Sequence, residues 1–145
     1  MTTTPTPPTI TDLLSLLRSV ESAPADRDMA WSEHCTRQQA AILRLQSPAG
    51  RITDISDLTN VTGIPIDLVP NIPVAGTAFP TKDGWRIHLS AALNDAAQLR
   101  VALHELKHVL DHPLRMRPLA DGLQGSDYEH LADYFADCVL AEAQS

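Results

Sequence analysis

The sequence predicts an α+β protein, a small, mostly antiparallel sheet packed on helices. Three observations carry this. Apolar residues recur at helical spacing before residue 63 and again after residue 94. Between them, two segments around residues 64–69 and 85–89 alternate with the period of a strand. The Asp83-Gly84 pair is a tight-turn signal, and Trp85–Leu89 is expected to pair with an earlier strand.

In chain order, MTTTPTPPT over residues 1–9 is rich in Thr and Pro, buries little, and is expected to be a disordered lead-in to a single domain over residues 10–145. Leu13, Leu14, Leu16 and Leu17 then fall near helical spacing, with Thr9 or Thr11 as cap. The polar stretch 22–27, with Pro24, breaks that helix. Asp28 is placed to cap a second helix over residues 29–46, which Pro48 and Gly50 end. Residues 53–62 read as a short helix capped by Thr53 and closed by Gly63. Ile64-Pro65-Ile66-Asp67-Leu68-Val69 alternates as a strand, and Pro65 assigns it to an edge or a strand start. Pro70, Pro73, Gly76 and Pro80 mark a loop or irregular strand. Asn94 is the N-cap of a long helix that Pro113 is expected to stop. After a short basic loop with Arg115, Arg117, Gly122 and Gly125, a last helix runs from near Ser126 to about Ala143.

Composition excludes several classes. At 145 residues and 43% hydrophobic, the chain can bury an ordinary core, built mostly of aliphatic side chains because aromatics are 4%. A formal net charge of −7 opposes binding to nucleic acid or anionic membrane, which needs a basic face. No apolar run approaches the ~20 residues of a membrane span. Cys35 and Cys138 lack a Cys-x-x-Cys spacing and read as free, partly buried thiols. The N-terminus has no basic segment leading into an apolar one, so the expectation is a cytoplasmic protein.

The chemistry concentrates in His104-Glu105-Leu106-Lys107-His108. Residues four apart share a helix face with β-carbons about 6 Å apart, so two imidazoles can converge on one ion. Glu105 lies about 100° round the helix from His104, beside the ion rather than on it, where it can act as general base toward water. Leu99, Ala102, Leu103, Leu106 and Leu110 fall on the opposite, core-facing side. A catalytic zinc site takes three protein ligands and keeps one position open. The helix supplies no third: Asp111 and Leu114 stand where an extended HExxHxxGxxH motif has Gly and His, and His112 drifts along the helix away from the ion. The candidate is Glu129, with Asp133 one turn on to accept the free N–H of a ligand histidine. Ser126-x-x-Glu129 is also a capping box, and Asp133 can be read as a solvated helix residue, so both assignments have a structural alternative.

HELKHVLDH followed by EHLADYFADCVLAEA resembles the ImmA/IrrE family of gluzincin-like metallopeptidases, which pair HExxH with E-x-x-A-[ND]-x-F-A on the next helix. Glu129, Ala132, Asp133, Phe135 and Ala136 fill the second motif, and the resemblance extends over roughly residues 50–143. It implies a zincin-like fold and a zinc-dependent protease with a protein substrate, a transcriptional repressor or another regulatory partner. The chain departs from the pattern at Lys107, where the family commonly has Gly or Ala; this cation is expected to snorkel to solvent or meet a substrate carboxylate. It also lacks the complete helix-turn-helix domain of many relatives.

An oxyanion-stabilising donor is expected as well, with His112, Lys107, Tyr128 and Arg115 as candidates. His88, on a strand, reads as solvent-facing or satisfied, and His34 receives no role. Two other classes compete. One is a non-catalytic module on a peptidase fold that holds a regulator. The other is a DNA-binding segment at residues 53–65, a faint half of a helix-turn-helix; the extended Ile64-Pro65-Ile66 removes its recognition helix and the charge has the wrong sign.

Overall fold

The computed structural model describes residues 10–20, 28–115 and 125–142. Helices α1 (Ile10–Ser19), α2 (Met29–Leu45) and α3 (Ile55–Thr62) come first, with a 3-10 turn at Pro48–Gly50. Strands β1 (Ile66–Val69), β2 (Gly76–Thr81) and β3 (Gly84–Ser90) follow, then α4 (Asp95–Arg115) and α5 (Gly125–Glu142). The expected lead-in over 1–9, the break at 22–27 and most of the basic loop lie outside the described residues.

Local chemistry sets most helix ends. Asp28 caps α2 by accepting from the Trp31 amide at 2.8 Å, and Asn94 accepts from the Ala97 amide at 2.8 Å ahead of α4. Gly63 closes α3 at φ 73°, in the left-handed region. The cap of α3 is Asp54 rather than Thr53: Asp54 Oδ1 takes the Asp57 amide at 2.8 Å. Thr53, one residue earlier, instead donates both its amide and its hydroxyl to Asp57 at 2.8 Å.

The sheet has the order β1-β3-β2, with β3 antiparallel to β2 and parallel to β1. It is mixed, which corrects the expectation of a mostly antiparallel sheet. The segment 70–75 carries the chain from β1 past a gap one strand wide before β2 begins, and the tight hairpin through Lys82 and Asp83 returns β3 into that gap. Burial explains the choice: β3 brings Ile87 and Leu89, both essentially inaccessible, to the sheet centre. The proline-marked stretch also proves more regular than a loop, since Gly76–Thr81 pairs with β3 along its whole length.

Helix α4 lies between the sheet and α5, with α1 and α2 completing the other side. Its core face is as the periodicity requires: Leu99, Ala102, Leu103, Leu106 and Leu110 are all buried. They join Ile87 and Leu89 of β3 and Phe135, Ala136 and Val139 of α5 in one core.

Pro113 does not stop α4, which continues to Arg115. A proline has no N–H for the carbonyl four residues back, here that of Val109. The Arg18 guanidinium of α1 supplies the donor instead, at 2.7 Å to Val109 O, and its Nε reaches Leu110 O at 3.4 Å.

Lys107 neither snorkels nor faces a substrate. It is fully buried, donating to Asp111 Oδ1 and to Gln39 Oε1 of α2, both at 2.8 Å. Gln39 in turn donates to Leu17 O of α1 at 3.0 Å. With Gln39 reaching over from α2 and no exposure left to it, the ammonium takes a carboxylate one turn along. Cys35, buried, and Cys138, half-buried, form no disulfide among the described residues. Among the described residues, no helix is long and apolar enough to cross a membrane.

Candidate metal centre

Helices α4 and α5 pack side by side, and the faces that meet at one end carry the chemistry. His104 and His108, one turn apart, turn their Nε2 atoms toward each other at 3.1 Å. Glu129 of α5 enters between them, with Oε2 3.0 Å from His104 Nε2 and Oε1 2.9 Å from His108 Nε2. Both oxygens are therefore engaged with α4, and Glu129 is not the capping-box residue that Ser126-x-x-Glu129 also allowed. Asp133, one turn further, approaches His104 Nδ1 at 2.8 Å.

This arrangement fixes a tautomer. The carboxylate of Asp133 only accepts, so His104 donates from Nδ1 and presents a lone pair at Nε2. That lone pair faces the carboxylate of Glu129 and the ring of His108. Such a convergence is repulsive unless a positive charge lies at its centre, either a proton or a cation. The three potential ligand atoms lie within 4.8 Å of one another. Their closest separations of 2.9 to 3.1 Å lie near the edge of about 3.3 Å in a tetrahedron of zinc bonds. The donor set of two imidazoles and one carboxylate fits zinc. Glu129 is 59% exposed while the histidines are 19% and 15% exposed, so the cluster opens to water on one side.

Glu105 sits beside the cluster, in the wall of a cleft of about 620 Å³. Burial pushes its carboxyl above the ordinary range; His104 opposes this, the negative charge of Glu129 adds to it, and a hydrogen bond from the Ala78 amide partly offsets it. That amide belongs to the edge strand. Ala75 O accepts from Ser90 N at 2.8 Å, so by alternation Thr77 and Phe79 bond inward to β3 while Gly76 and Ala78 turn their backbone groups to the open edge. Strand β2 thus runs its unpaired edge along the cleft.

Gly76 permits this closeness. A β-carbon there would lie 2.5 Å from Val101 Cγ1 of α4 and 3.0 Å from Leu89 Cδ2. The far end of the cleft is apolar, where Trp85 meets His112 edge-to-face with ring centroids 5.1 Å apart. At the opposite end Arg100 pairs with Asp137 at 2.8 Å.

Of the oxyanion candidates, only His112 lines the cleft. Tyr128 is buried in packing, Lys107 is committed to Asp111 and Gln39, and the Arg115 side chain lies outside the described residues. His88 is half-buried on the sheet, edge-on to Phe79 and 3.6 Å from Asp67, in agreement with a satisfied histidine. The sequence reading missed Gly76, Ala78, Trp85 and Arg100 as cleft residues. In sequence Gly76 marks a loop or irregular strand, and the alternation Gly76-Thr77-Ala78-Phe79 was the signal available. The chain matches no protein-family model, no curated protein and no solved structure.

Proposed function

We propose that the chain is a zinc-dependent peptidase of the ImmA/IrrE kind, zincin-like in its pairing of a metal helix with an edge strand, and that it cleaves a protein substrate such as a transcriptional regulator. The observation that carries the reading is the convergence of His104, His108 and Glu129 on one point, with Asp133 fixing the tautomer of His104. His104, His108 and Glu129 would hold a zinc ion, which when bound would supply Lewis-acid chemistry toward a carbonyl and water.

The chain's own groups do the rest. Glu105, its carboxyl raised by burial above the ordinary range, takes a proton from the attacking water and returns it to the leaving amine. The backbone groups of Gly76 and the carbonyl of Ala78, whose amide is already held by Glu105, receive an extended peptide at the open edge of β2, which sets its carbonyl beside Glu105. Asp133 keeps the His104 lone pair directed at the centre.

The test is zinc content by elemental mass spectrometry on wild type and Glu129→Ala, followed by peptide cleavage with wild type and Glu105→Gln. One zinc per chain, lost or much weakened in Glu129→Ala, together with cleavage abolished in Glu105→Gln, is the expected result. Absence of zinc after reconstitution overturns the reading, and zinc retained by Glu129→Ala moves the third ligand elsewhere. Stoichiometric zinc without cleavage of any peptide or of a captured partner leaves a regulator-binding module.

A further inference from the structure

A second cavity, of about 750 Å³, shares one lining residue with the first, Trp85. The two differ in sign. The first holds Glu105, Glu129 and Asp133 against Arg100. The second carries Arg18, Lys82 and Arg86 against Asp83 alone, in a chain whose net charge is −7. Arg18 is committed to the carbonyls of α4. Lys82 is exposed at the β2–β3 turn, and Arg86 uses one guanidinium nitrogen on Asp67 at 3.0 Å while its side chain stays 43% exposed. Two cations therefore face this cavity with hydrogen-bonding capacity beyond their present partners. Phe79 and Pro65 give it apolar walls beside them.

We infer that the second cavity is an extension of the peptide-binding cleft. It takes the part of the substrate that continues past Trp85, and it selects an acidic residue there, next to an apolar one. The inference rests on the peptidase reading. Continuity through one shared tryptophan favours a single polypeptide over a separate small ligand. A chain laid along the cleft passes from an acidic wall to a basic one, so an acidic residue gains only in the second cavity and the charge fixes its register.

The experiment uses the full zinc-loaded chain and three long peptides that share a core and differ only in an extension of Glu-Asp, Ala-Ala or Lys-Lys, placed at either end. A short core peptide that does not reach past Trp85 is the reference. The acidic extension at one end is expected to lower KM about fivefold relative to the basic one with kcat unchanged, an effect that shrinks with added salt. In Lys82→Glu/Arg86→Glu the order reverses while kinetics on the short peptide hold, the lost Arg86–Asp67 pair lowering the melting temperature by a few degrees at most. Equal KM for all extensions, or a preference that survives the double charge reversal, overturns the inference. Binding of the same labelled peptides to Glu105→Gln by fluorescence anisotropy reads the preference even where nothing is cleaved, so failure of the peptidase reading is seen separately. Succinate competing as well as the acidic peptide would make this a small-anion site and overturn it too.

Discussion

At the scale of single residues, roles divide by what each atom faces. Glu105 touches no potential ligand atom of the metal through a bond of its own, so Glu105→Gln is expected to keep zinc while kcat falls by about 10²–10⁴; metal analysis and peptide kinetics on one preparation check both halves. Asp133 acts through His104. Asp133→Ala is expected to weaken zinc about 10- to 100-fold, read by competition with a chromophoric chelator, with a smaller loss when zinc is saturating. What was legible in the sequence was local: the spacing of four in His104/His108 and in Glu129/Asp133 sets a shared helix face whatever packs nearby, whereas the approach of Asp133 to His104 joins two helices. Lys107 was not legible. Its angle on α4 was known, but whether that angle opens to water depends on α2, and no rule of spacing says that Gln39 arrives there.

At the scale of elements, the edge strand is the sensitive part. Gly76→Ala pushes a methyl group into Val101, and the strand must move off α4 or α4 must shift. A loss of about 1–3 kcal/mol in urea unfolding is expected, with peptidase activity falling further than stability does, since the open edge no longer lies along Glu105. Helix α3 carries a pH signature. Hydrogen bonds from the Thr53 amide and hydroxyl hold Asp57 below the ordinary carboxylate range. Its contribution is therefore complete above the unfolded carboxylate pKa and disappears as pH falls through the lowered folded value. Asp57→Ala is expected to cost about 0.5–1 kcal/mol at neutral pH and almost nothing in strong acid, as urea titrations at several pH values would read. The helices themselves were readable from caps and periodicity, Asp28, Asn94 and Gly63 among them. Strand order was not, because alternation tells which segments are strands and leaves open whether the third one inserts between the first two.

At the scale of the molecule, the proposed metal and the core are coupled. Any ion held by His104, His108 and Glu129 binds only the docked pair of α4 and α5, so melting temperature is expected to climb with zinc concentration in wild type and to stay flat in Glu129→Ala. Behind the same helix lies the buried Lys107–Asp111 pair. Lys107→Met alone strands a carboxylate in the core and is expected to lose about 3–5 kcal/mol, whereas Lys107→Met/Asp111→Leu recovers most of it, as paired urea titrations would reveal.

The bond from Arg18 to the carbonyls of Val109 and Leu110 bears on how this protein can be dissected. Every ligand and the whole edge strand lie after residue 75, which invites a shortened version beginning at α2 or α3. Such a fragment would leave the Val109 carbonyl, already denied a partner by Pro113, without the guanidinium that answers it, one residue past His108. The smallest portable form of the candidate metal centre therefore starts ahead of Arg18, however far upstream of the histidines that residue stands.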